Sequence, residues 1–319
     1  MDPEPTGVST GAAASNPPAG DDGKRVLRIG HSPDPDDAFM WYPLADFPSG
    51  SGPGGGTYQP CVDTGPYRFQ HVLEDIESLN QRSARGELEI TALSIHQYPY
   101  VADRYVLTSC GASMGDGYGP MVVARQAMAT EKIPEVSLAI PGERTSAFLT
   151  LQLLLRSLGI DRPLNYRVVP FDRILDVVGS GECDAGLIIH EGQLTYGHGG
   201  LVKVVDLGEW WGDRYDLPLP LGGNAIRRDL GEEMGDICRI LRASIDYALA
   251  HRQAAVDYAL NYARDLGRDL ADRFIGMYVN DYTLDYGARG REAVQRLLCE
   301  AAVTKLIPDP GEIDFISPT

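Results

Sequence analysis

The chain has only five cysteines, odd in number and scattered at positions 61, 110, 183, 238 and 299. None of them has CxxC or Cys/His metal spacing, which argues against a disulfide framework or a structural zinc site and for reduced thiols. Basic residues are also scarce: 28 Lys and Arg against 45 Asp and Glu give a formal net charge of −17. That balance argues against nucleic acid or an anionic membrane as a main partner, while a small anion held by local donors stays open. No run approaches the roughly 18 apolar residues that span a bilayer. GxxxxGK[ST], GxGxxG after a strand, GxSxG and HExxH are all missing, so nucleotide binding, serine hydrolysis and zinc proteolysis lose their usual supports. Residues 1–24 are rich in Pro, Gly, Ala, Ser and Asp and lack the basic and apolar regions of a secretory signal. They are expected to form a disordered tail on a cytoplasmic protein.

What is present reads as alternating strands and helices. A length of 319 residues suits two lobes better than one core. Short apolar runs at Arg25–Gly30, Leu88–Leu93, Val136–Ile140, Tyr166–Val169, Ala185–Ile189 and Leu201–Leu207 predict strands. Helices are expected at Ala38–Leu44, capped by Asp36 or Asp37, and at Ile76–Gly86, Phe148–Leu158 and Ile174–Gly179. From Asp236 onward Ile237, Leu241, Ile245 and Leu249 recur with helical spacing. Residues 47–66, dense in Gly, Pro and Ser, read as an exposed insertion. The expected architecture is α/β, with a discontinuous larger lobe (25–123 plus 225–319) and a smaller lobe (124–224). Two crossings join the lobes, Asn224–Arg227 being a candidate crossing strand, and a ligand cleft lies between them.

Chemistry gathers where these strands end, the usual position of ligands in open α/β sheets. Asp184-Ala-Gly-Leu-Ile-Ile-His190-Glu191-Gly192 delivers an imidazole, able to exchange a proton near neutrality, to the end of a buried strand. Its plainer reading is a loop histidine bonded to backbone. Ser94 and His96 follow another strand, His96 reading as structural. Thr145 and Ser146 open a helix, where hydroxyls and free N–H groups either bind an anion or simply cap the helix. Arg144 is a weaker anion cue. Asp34, Asp36 and Asp37 hint at a metal loop, but the other ligands of a calcium loop are missing, so no metal is expected. Trp210, Trp211, Tyr196 and Tyr98 could wall a planar ligand or simply pack.

Taken in order, several blocks resemble the 1,4-dihydroxy-6-naphthoate synthases of futalosine-pathway menaquinone biosynthesis. They include Ile29-Gly-His-Ser-Pro-Asp-Pro-Asp-Asp-Ala-Phe39, Val72-Leu-Glu-Asp-Ile-Glu-Ser-Leu-Asn80, Ile140-Pro-Gly-Glu-Arg-Thr-Ser-Ala-Phe148, Asp184–Gly192, Val205-Asp-Leu-Gly-Glu-Trp-Trp211 and Leu217-Pro-Leu-Pro-Leu-Gly-Gly223. The resemblance implies a type II periplasmic-binding-protein-like fold and a cofactor-independent carbon–carbon lyase. His190 would be its general base. Ser32, Asp34, Ser94, Thr145, Ser146 and Gly222 would surround a small anionic substrate, with Glu191 a candidate orienter of the base. A solute-binding protein or a chorismate dehydratase-like enzyme would share the fold. One block departs from the family: its first loop usually reads Ser-Pro-Cys-Pro-Asn-Asp-Thr-Phe, where this chain has Ser32-Pro-Asp34-Pro-Asp36-Asp37-Ala38-Phe39. Added carboxylates near an anion cost Coulomb energy unless they turn away or pair.

Overall fold

The computed structural model describes residues 23–263 and 266–319. The expected N-terminal tail lies, up to residue 22, outside the described residues.

Two sheets organise the molecule. The larger holds β1 (Arg25–His31), β2 (Tyr67–Leu73), β3 (Ile90–Ser94), β4 (Tyr105–Thr108) and β5 (Ser113–Gly115). The smaller is built from β6 (Met121–Ala124), β7 (Ser137–Ile140), β8 (Asn165–Val168), β9 (Ala185–Ile188) and β10 (Val202–Asp206). The chain then returns through β11 (Leu219–Arg227) and ends at β12 (Phe315–Ile316), both in the larger sheet. β1 runs parallel to β2 and β3, and β11 lies antiparallel to both β3 and β4. In the smaller sheet β7 is parallel to β8 and β9, while β6 lies antiparallel between β9 and β10.

The change of sheet thus falls at residues 116–120 and 207–218, earlier than the expected lobe boundaries on both passes. The reason lies in the length of β11. Its nine residues bond β5 at one end and β3 and β4 at the other, so Leu219–Asn224 belong to the larger sheet.

Helices cover the sheets: α1 (Pro35–Trp41), α2 (Ile76–Arg85), α3 (Ser146–Ser157), α4 (Ile174–Gly179), α5 (Gly192–Thr195) and α6 (Leu207–Tyr215). The C-terminal third supplies α7 (Glu233–Ala250), α8 (Arg252–Ala259), α9 (Arg268–Tyr278), α10 (Asp281–Leu284) and α11 (Gly287–Val303). α1 begins three residues before the helix the sequence pattern indicates. Pro35 at its first position comes with the φ a helix needs. Asp36 and Asp37 therefore sit inside the first turn instead of capping it, and Asp34 occupies the cap position without a side-chain capping bond to the helix backbone. Apolar residues of α1, Phe39 and Trp41 among them, join Ile237, Leu241 and Ile245 of α7 in one core cluster. The 47–66 segment is largely exposed and is anchored by Tyr58, whose ring stands 4.9 Å from that of Tyr258.

Candidate active site

The cavity between the sheets is lined at one end by the α1 loop and His190, and at the other by hydroxyls from β3 and α3. Ser32, Asp34, Ser94, Thr145, Ser146, His190 and Gly222, all singled out from sequence, line this one cavity. Asp36, Asp37, Gln193, Phe274 and Tyr278 line it too.

β9 runs out at Ile188, and the chain turns at His190 with φ 55°, a left-handed conformation uncommon outside glycine. This turn sets the imidazole across the cleft, where Nδ1 stands 3.0 Å from Asp34 Oδ2. The Phe171 ring meets the imidazole edge-on, centroids 4.7 Å apart, and Nε2 has no hydrogen-bond partner among the described residues. Burial opposes charge on His190, but the Asp34 carboxylate outweighs it and raises the imidazole above its ordinary value. Burial likewise raises Asp34, yet His190 and the neighbouring Ser32 hydroxyl overcome it and hold that carboxyl below the usual carboxylate range. Asp36 is pushed well up by burial and by Asp34, and Asp37 goes up to about 7 for the same reasons. Asp37 Oδ2 accepts from the Ser32 N–H at 2.7 Å, which fixes the loop. Of the two carboxylates added to the family loop, Asp34 is thus accommodated by pairing with the imidazole, whereas Asp36 is accommodated by a carboxyl pushed up toward its neutral form.

The opposite end carries no full charge. Ser94, last residue of β3, is held by Asn80 of α2: its N–H donates to Asn80 Oδ1 at 2.9 Å, and its hydroxyl accepts from Nδ2 at 3.0 Å. Thr145 does cap α3, its Oγ1 accepting from the Phe148 N–H at 3.3 Å, so the capping reading of that residue is realised at the cavity wall. Ser146 Oγ accepts from the His96 N–H and donates to the Leu221 carbonyl. Gly222 stands opposite Ser94 in the β11–β3 register.

Other sequence cues lead elsewhere. Arg144 stacks its guanidinium 3.7 Å over the Tyr100 ring instead of facing the cavity. His96 is buried, Nδ1 against the Thr145 carbonyl, as its structural reading requires. The proposed aromatic wall is absent from the lining: Trp211 and Tyr98 are fully buried, and Trp211 Nε1 donates to the Pro218 carbonyl. Burial favours this because large rings recover most by leaving water entirely. The cavity's aromatic residues are instead Phe274 and Tyr278 of α9. Tyr278 donates its hydroxyl to Gln193 Oε1 at 2.7 Å, joining α9 to α5. Helical spacing alone could not assign these two to a cavity, because Phe274, Ile275 and Tyr278 form an ordinary buried stripe.

Comparison with known proteins settles the kinship. The family described as menaquinone biosynthesis matches residues 27–302. The chain belongs to this family. A 1,4-dihydroxy-6-naphthoate synthase from Thermus thermophilus is 40% identical over 89% of this chain and 97% of its own length. One from Streptomyces coelicolor is 35% identical over 90% of this chain and 96% of its own length. By this kinship the menaquinone-biosynthesis family member is an enzyme of the lyase class. Among solved structures, an Archaeoglobus fulgidus protein aligns with a TM-score of 0.78 at 42% identity, covering 88% of this chain and 98% of its own. The alkanesulfonate-binding protein of Xanthomonas axonopodis pv. citri aligns at 0.64 with 13% identity, over 95% and 98% of the two chains. That second likeness shows the fold, which is periplasmic-binding-protein-like.

Proposed function

We propose that the chain converts cyclic dehypoxanthine futalosine to 1,4-dihydroxy-6-naphthoate in the cytoplasm, with His190 as the general base. The observation that carries this reading is the imidazole held over the cavity by Asp34 at 3.0 Å. The names of the curated relatives, which give the naphthoate product, support this reading. In this reading the imidazole removes a hydroxyl proton from the sugar-derived part of the substrate. The electron pair of that O–H bond forms a carbonyl as the adjacent carbon–carbon bond breaks, and the pair from the broken bond is taken up as an enolate on the ring-side fragment. A three-carbon fragment leaves, and the ring system aromatises. Asp34 holds the imidazole and stabilises it once protonated, as a carboxylate does beside a catalytic histidine. The substrate carboxylate lies toward Ser94 and the start of α3, where the Ser94 hydroxyl keeps a proton to donate and the first backbone N–H groups favour an anion, and away from the aspartates.

Incubating the purified protein with the cyclic substrate and following naphthoate by mass spectrometry tests this directly. A His190→Asn variant is expected to bind the substrate while losing about 10²–10⁴-fold in kcat. Full turnover by that variant removes the base assignment. Absence of naphthoate with the parent protein removes the substrate assignment and points to a related substrate accommodated by the altered loop.

A further inference from the structure

The α1 loop crowds more carboxyl groups around His190 than one imidazole can neutralise. Asp34, Asp36 and Asp37 line the cavity beside it, and no Lys or Arg among the described residues does. One oxygen each of Asp34 and Asp36 and one nitrogen of His190 lie within 4.8 Å of one another. Asp34 is engaged by the imidazole at 3.0 Å. Asp36 hydrogen-bonds Asp34, which two ionised carboxylates cannot do, so the pair shares one proton. The charge stays on Asp34, because that residue faces the imidazole, and the proton rests on Asp36. Such an acid has a hydroxyl to donate and a carbonyl oxygen left to accept. Asp36 is only 6% exposed, and its Oδ1 has no hydrogen-bond partner among the described residues.

We propose that Asp36 acts as a neutral acid, donating its hydroxyl to Asp34 and accepting a substrate hydroxyl at Oδ1. The donated bond holds Asp34 against His190, which makes Asp36 a positioning residue for the base. The accepted bond selects a hydroxyl-bearing, sugar-derived group at this end of the cavity, with the anionic end of the molecule at α3. The hydroxyl contact rests on the lyase reading, whereas the proton on Asp36 does not. Asp36 is faced by Asp34 and Asp37 of its own loop, by His190 from the end of β9, and by Tyr278 of α9, whose phenol burial keeps neutral. Ionisation of Asp36 at high pH removes the donor to Asp34 and sets two carboxylates against each other, so kcat/KM should then fall.

Two measurements on the full-length protein test this. Infrared difference spectroscopy without substrate should show, at neutral pH, the carbonyl band of a protonated carboxyl that Asp36→Asn lacks. No such difference between parent and variant overturns the proposal. Naphthoate formation across pH gives the second measurement, in which the parent should show an alkaline limb. Asp36→Ala should lose about 10- to 100-fold in kcat/KM, the loss of hydrogen bonds to a charged partner. Asp36→Asn, neutral at every pH and alike in shape, should recover most of that loss and lack the alkaline limb. An alkaline limb kept in Asp36→Asn overturns the proposal, as does an acid limb moved to lower pH, which would mean an ionised Asp36 beside the base. Circular dichroism checks folding, and Asp36→Asn alone decides the matter should Asp36→Ala fail to fold. The infrared difference without naphthoate removes the lyase reading and keeps the proton on Asp36; naphthoate without the difference does the reverse.

Discussion

His190 is useful as a base because two opposing effects act on it. Burial alone would leave a weakly basic imidazole, whereas the Asp34 carboxylate restores basicity from across the cleft. A base works only when unprotonated, so kcat/KM is expected to rise with pH through a midpoint above the ordinary histidine value. Asp34→Asn removes the largest raising influence and leaves burial opposed only by Glu191 and Asp37. The acid limb should then move to lower pH, with a fall in kcat of about 10²-fold or more. A purely structural aspartate would leave the midpoint in place, and a pH profile separates the two. The pattern of residues in the sequence made His190 visible, since an imidazole after an apolar strand stands out. It could not reveal the pairing, because Asp34 lies in a distant loop and a loop sequence carries no distances.

Elements position these groups through close contacts that composition does not disclose. α6 begins against the crossing segment at Tyr118–Gly119, and a Cβ built on Gly208 would stand 2.0 Å from the Tyr118 carbonyl carbon and oxygen. Backbone meets backbone there, so neither side can yield by turning a side chain. Gly208→Ala should therefore destabilise the protein by about 3 kcal/mol, measured by chemical denaturation. Sequence reading took Val205–Trp211 as a family block without giving its glycine this reason. It did place the ends of several elements well: α2 runs Ile76–Arg85 and is closed by Gly86 at φ 67°, as its cap residues indicate. α1 was misplaced because an Asp- and Pro-rich loop offers several caps, and the chosen one depends on where the loop is pinned.

For the whole molecule, the lobes meet across the cavity at several points. Besides His190 and Asp34, Gln193 bonds Tyr278, and Glu77 accepts from the Arg144 N–H at 3.1 Å. The cavity volume is about 100 Å³, smaller than the roughly 300–1,000 Å³ of a typical ligand pocket. On the proposed reading, the lobes part to admit the bicyclic substrate. Stability of this assembly should depend on pH through a pair in the larger lobe, buried His31 and half-buried His71, whose Nε2 and Nδ1 stand 2.9 Å apart. Burial lowers His31 to about 4 and, with His31 nearby, lowers His71 to about 3. The unfolded chain therefore binds protons that the folded one refuses between about pH 4 and 6.5. The pair's contribution is fully present above that window and is lost as pH falls through it. Asp36 and Asp37, raised in the folded state, act in the opposite sense over part of the same range. The difference between parent and variant is the informative quantity. His71→Gln should lose less thermal stability than the parent between pH 6.5 and 4, by on the order of 2 kcal/mol. Equal losses in both would show that the pair carries no such linkage.

The sequence by itself determined the alternation of strands and helices, the two-lobed class and the strand ends that carry chemistry. These follow from local periodicity and from motifs that occupy consecutive residues. Tertiary structure decided what those motifs face. It made Asp34 the partner of His190, sent Arg144 to Tyr100, and brought Phe274 and Tyr278 to the cavity. Each is a meeting of segments far apart along the chain, and only the packing of one sheet against the other fixes such distances.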